Sequence, residues 1–132
     1  MSGLEQFDET DILSRMQDPA QIRALLLSSV QRALLGSVPA ALRQVSCGWE
    51  GTKIKLRFVF DGEIEPDDYE GALIVGTEVI GDFSASWTIA EEVVRIDYPT
   101  DLRESWTDES MLLAYIRKER STRGQAFPLP SS

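Results

Sequence analysis

Six acidic side chains within ten residues give the run from Asp61 to Glu70 more capacity for chemistry than any other part of this sequence. They are Asp61, Glu63, Glu65, Asp67, Asp68 and Glu70, with no base among them. Calcium is the first chemistry to test. With Asp61 as position one, acids fall at positions one, three, five and seven, as in a helix–loop–helix calcium site. Pro66 then stands where that loop needs glycine, and Ala72 where it needs a bidentate glutamate. The pattern fails on both counts, and no metal or cofactor is expected. Paired carboxylates for general acid and base catalysis are the second chemistry. They need two carboxyls facing across a cleft with their proton affinities driven apart, and nothing in the spacing provides that. Two non-catalytic readings stay open. The acids of the first turn favour a helix N-terminus through its dipole, or the run is a docking surface. Glu70, Ile74, Glu78 and Asp82 extend the acids along one polar helix face, where Ile74 is an apolar residue with acids at i±4. Such a residue suits an interface anchor with a polar rim, or it is an ordinary exposed aliphatic.

Other reactive constellations are excluded by composition. The chain has 132 residues and no histidine, so it holds no Ser-His-Asp or Cys-His machinery and no histidine-bound zinc. Its one cysteine, Cys47, cannot form an internal disulfide and alternates with Val45 and Trp49 on an apparent core face, which reads as a structural thiol. Trp49 and Trp87 read as core, and Trp106 as a contact or anchor in a polar loop. Glycines are scattered without a phosphate-binding pattern. Acids outnumber bases 22 to 13, a net charge of −9, which opposes direct contact with nucleic acid and suits a basic macromolecule. No apolar stretch is long enough to span a membrane and no signal peptide is expected, so the expected location is cytoplasmic.

The elements that must position these residues follow from capping signals and periodicity. Residues 1–17 read as a polar N-terminal arm, 18–119 as one domain and 120–132 as a fraying tail. Asp18-Pro19 predicts a helix start and Gly36 its stop, with Ile22, Leu25, Leu26, Ser29, Val30 and Ala33 buried. Residues 42–49 and 52–60 predict a hairpin, the second strand with Ile54, Leu56, Phe58 and Phe60 inward and Lys53, Lys55, Arg57 and Val59 outward. The basic stripe is expected to pair with acids on a neighbouring strand, such as Glu91 or Asp97. A second helix is expected over 67–83, covering the sheet with Tyr69, Ala72, Leu73, Gly76, Ile80 and Phe83. A third strand is expected over 87–98 with a phase change near Glu91-Glu92, read as a bulge or break. The run SMLLAYIR, 110–117, predicts a strand buried on both faces. The order α-β-β-α-β-β predicts an α+β fold: a single antiparallel sheet of about four strands with helices packed on one face.

The segments ALLGSVPAALRQVS (33–46), KLRFVFDGEIEPDDYEGALIVGTEVIGDF (55–83), VVRIDYP (93–99) and LLAYIRKE (112–119) resemble small bacterial immunity proteins of contact-dependent growth inhibition systems. The resemblance implies a non-catalytic cytosolic protein that binds and neutralises a cognate toxin C-terminal domain, often a nuclease. It carries no binding motif that transfers residue by residue, so the acidic face Asp61, Glu63, Glu65, Asp67, Asp68, Glu70, Ile74, Glu78 and Asp82 stands on the residues alone. A homo-oligomerising structural or adaptor protein, and a small carboxylate-dependent enzyme, are the alternatives.

Overall fold

A computed structural model describes residues 18–105 and 110–119. The expected N-terminal arm, the C-terminal tail and Trp106 lie outside them. The chain runs through helix α1 (Pro19–Leu34), strands β1 (Leu42–Glu50) and β2 (Lys53–Phe60), helix α2 (Pro66–Ile80), strand β3 (Thr88–Arg95), a 3₁₀ turn (Leu102–Ser105) and strand β4 (Leu112–Ile116). The α+β order is the one expected from the sequence.

Local chemistry fixes both helix starts. The Asp18 carboxylate accepts from the Ala20 N–H at 3.0 Å, and Pro19 fills the first helical position. In α2, Pro66 follows the N-cap Glu65, whose N–H donates to the Asp68 carboxylate at 3.0 Å. Beyond α1, Gly36 adopts φ +75°, the left-handed conformation that ends a helix without a Cβ penalty.

The sheet order is β3-β2-β1-β4. β1 pairs antiparallel with β2 and with β4, but β2 pairs parallel with β3, so the sheet is mixed and not wholly antiparallel. The helix between β2 and β3 is the cause. Fifteen residues of α2 span roughly 22 Å at the α-helical rise, which returns the chain to the end of the sheet where β2 began. Both helices cover one face. Leu26, Val30, Val45, Cys47, Ile54, Leu56 and Val79 are fully buried between helices and sheet, each contributing about 1.5–3 kcal/mol of transfer free energy.

Three further expectations need correction. β3 keeps an unbroken register with β2, Leu56 opposite Glu91 and Phe58 opposite Val93, so no bulge lies at Glu91-Glu92. Glu91 stands on the helix-facing side, where the bare backbone of Gly76 leaves its carboxylate room. The irregularities lie in the pairings of β1, between Leu42 and Gln44 and between Val45 and Ser46. β4 is an edge strand: Leu112, Ala114 and Tyr115 pack on the core, while Leu113 and Ile116 are about half exposed. A continuous apolar run therefore does not mark burial on both faces here. Finally, α2 buries Ala72, Val75, Gly76 and Val79 and exposes Tyr69 and Leu73. Its inward face is rotated toward Val75 because α1 packs against that flank.

Candidate functional site

The acidic residues separate into two sets according to whether the fold itself uses them. Asp61 is half-buried; its carboxylate accepts from the Tyr98 N–H at 3.1 Å and pairs with Arg117 at 3.1 Å. Asp68 caps α2 as described, and Asp82 accepts from the Ser29 hydroxyl at 2.6 Å and pairs with Arg32. These three hold loop to sheet, helix to its own start, and α2 to α1. Glu63, Asp67, Glu70 and Glu78 are exposed and take no part in such pairs, and Glu65 is exposed too although it is the N-cap of α2. Ile74 is 52% exposed on the same outward face as Glu70 and Glu78. The structure thus brings Asp67, Glu70, Ile74 and Glu78 together on the outer strip of α2, with Glu63 and Glu65 on the loop leading into it, and withdraws Asp61, Asp68 and Asp82 into internal pairs.

Charges elsewhere are largely internal too. Lys55 pairs with Glu50 at 3.2 Å and Arg57 with Glu92 at 3.5 Å. Cross-strand pairing of the basic stripe is therefore present, but through Glu50 and Glu92. Glu91 faces the helices, and Asp97 takes Arg95 at 2.9 Å and the Gly62 N–H at 2.7 Å. The Arg95 guanidinium, then the Gly62 N–H, hold the Asp97 carboxyl below the usual aspartate value. Arg43 is the extra residue of the β1 irregularity and only 2% exposed. Its guanidinium grips Glu119 at 2.7 and 2.9 Å and donates to the carbonyls of Ile96 and Thr100 at 2.7 and 3.0 Å. The hydrogen bond from Arg43 holds the Glu119 carboxyl below its usual range, against the upward push of burial. Cys47 is fully buried, and desolvation pushes its thiol up to about 12, so it is protonated and inert.

A cleft of about 350 Å³ lies beside the acidic strip. One wall is the connection Gly36–Pro39 after α1, the other the first half of α2 from Asp67 to Val75, and Leu42, Phe58 and Phe60 form its floor. Sequence reasoning missed it because the walls come from segments some thirty residues apart. The one local signal was Gly71, a glycine inside an otherwise well-formed helix. Among the described residues no group of three or more cysteine or acid side chains is placed to hold a metal ion, and no helix is long and apolar enough to cross a membrane.

An anionic strip with a half-exposed apolar centre and an apolar cleft beside it offers charge and shape for binding, and the two carboxylates that line the cleft among the described residues, Asp67 and Asp68, both stand on its helix wall. The model of one protein family, described as MafI2 immunity protein, matches residues 23–119, which covers every element described here except the first turn of α1. A comparison with curated proteins finds no match.

Proposed function

Because the chain belongs to the MafI2 immunity protein family, we propose that it binds and neutralises one cognate bacterial toxin domain in the cytoplasm, using the outer strip of α2 and the loop before it, and that it catalyses nothing itself. The observation that carries this reading is the half-exposed Ile74 with Glu70 and Glu78 on the same outward face. A desolvated aliphatic centre supplies affinity, and surrounding charge supplies steering and selectivity. The complementary partner is a basic domain. A nuclease fits that description, since a cleft that grips phosphates is itself cationic, and an acidic inhibitor competes for the same groups. The likeness to contact-dependent growth inhibition immunity proteins points to a toxin passed between neighbouring cells.

The test is calorimetric titration of the full chain with the C-terminal domain of the product of the gene immediately upstream of its own. Wild-type protein is expected to bind tightly. Ile74→Asp should weaken binding by about tenfold or more, the scale of losing one buried anchor, and Glu70→Lys with Glu78→Lys should slow association. Absence of binding by the wild-type chain at low salt would overturn the reading; normal binding by both variants would move the interface elsewhere. Self-association is the second reading. It is favoured by the edge strand β4 with its half-exposed Leu113 and Ile116, and light scattering of the purified chain would expose it as a dimer.

A further inference from the structure

Two glycines occupy the interior of α2, and their surroundings differ. At Gly76 an added methyl group would overlap the Glu91 carboxylate, so packing between helix and sheet accounts for that residue. At Gly71 an added methyl group would meet nothing within 4 Å. Gly71 lies in regular helix and its φ is not positive, so the backbone does not require glycine either. A glycine inside a helix lowers stability relative to alanine through the extra freedom of the unfolded chain. Within the described residues nothing offsets that loss at position 71.

Gly71 does, however, open the helix wall of the cleft. The floor beneath is apolar: Leu42, Phe58 and Phe60. Among the described residues no lysine or arginine lines the cleft, and Asp67 and Asp68 stand at its helix side, Asp67 exposed. Across the opening, the loop after α1 presents Val38 at 38% exposure. The apolar side chain of Val38 is held outward on one rim while the other rim is anionic. The group that fits is therefore apolar at its tip with a cation beside it.

We infer that this cleft receives one apolar side chain of the cognate toxin domain, carried next to a lysine or arginine that meets Asp67, and that Gly71 is the notch that admits it. The inference rests on the toxin-binding reading and adds a second point of attachment to the outer strip of α2. Contact at the notch excludes water from the Asp67 pairing, which strengthens it relative to an exposed ion pair.

Gly71→Leu in the full chain tests this, because leucine favours helix, its Cβ meets open space, and its side chain occupies the notch. The unfolding midpoint in urea should be unchanged or higher, while affinity for the upstream-encoded toxin domain falls at least tenfold, chiefly through faster dissociation. Val38→Asp, an exposed substitution on the opposite rim, should weaken binding similarly and serves if Gly71→Leu does not fold. Wild-type affinity in folded Gly71→Leu and in Val38→Asp would overturn the cleft assignment and leave the toxin-binding reading standing. Failure of the wild-type chain to bind the domain at all would overturn both.

Discussion

Among the described residues Arg43 is the one charged side chain that is fully buried, at 2% exposure, and the desolvation of an unpaired buried ion amounts to several kcal/mol. Arg43 meets it with a two-pronged bond to Glu119 and two backbone carbonyls, and its guanidinium carbon lies 5.7 Å from the centre of the Tyr98 ring. One side chain thus ties the chain after β3 and the chain after β4 to the middle of the sheet. Removing either partner strands the other. Arg43→Ala should destabilise the fold by about 3–5 kcal/mol, read from urea unfolding. The pH dependence follows from Glu119, whose proton affinity is lowered in the folded state, first by the Arg43 hydrogen bond and further by the charges of Arg43 and Arg117. The unfolded chain binds that proton more readily, so the stability from this group is fully present above the ordinary glutamate value, 4.5. It is lost as pH falls from there through the lower folded value. Unfolding free energy measured at pH 7, 5, 4 and 3 should drop in that acid window. Glu119→Gln should be less stable at pH 7 and show a shallower acid loss; an unchanged acid profile would remove Glu119 from the account.

At the scale of the element, α2 illustrates how a helix face is chosen. Its apolar residues cover more of the circumference than one sheet can bury. Periodicity alone centres the inward arc near Gly76 and Tyr69, whereas the observed arc is turned by roughly 60°, toward the flank on which Asp82 bonds Ser29 and Arg32 of α1. The same limit explains β3. Alternation read along the strand places a break at Glu91, because a carboxylate on an apolar face looks like a change of phase. The vacancy that accommodates it belongs to Gly76 of another element. What was legible locally came through intact: the Asp18-Pro19 and Glu65-Pro66 helix starts, the alternation of Ile54, Leu56 and Phe58, and the exposure of Glu70, Ile74 and Glu78. What was not legible depends on partners distant in sequence: the parallel pairing of β3, the burial of Arg43, the capture of Asp61 by Arg117, and the cleft. The two helix glycines make this testable. Gly71→Ala should raise stability by about 0.5–1 kcal/mol, the full helix-interior gain. Gly76→Ala should return less, because Glu91 must move aside. Equal gains in urea unfolding would contradict the helix-to-strand contact.

Among the described residues, seven cations are drawn into pairs with acids: Arg32 with Asp82, Arg43 with Glu119, Lys55 with Glu50, Arg57 with Glu92, Arg95 with Asp97, Arg103 with Asp101 and Arg117 with Asp61. Exposed pairs of this kind add little stability, about 0–1 kcal/mol each, but they cancel field. Among the described acids without such a partner, Glu63, Glu65, Asp67, Glu70 and Glu78 all lie along one side of α2 and its leading loop. A field with that asymmetry orients an approaching basic partner before contact. Its range is set by the Debye length, about 10 Å at 0.1 M salt and about 3 Å at 1 M. Association of the wild-type chain with its toxin domain should slow by about tenfold or more between low and high salt, measured by stopped-flow, with dissociation much less affected. Location is then separable from total charge. Lysine at Glu70 and Glu78 should flatten the salt dependence, whereas lysine at Glu50 and Glu92, the same change in net charge, should leave most of it. If both double variants behave alike, steering comes from net charge alone and the strip on α2 has no special part in it.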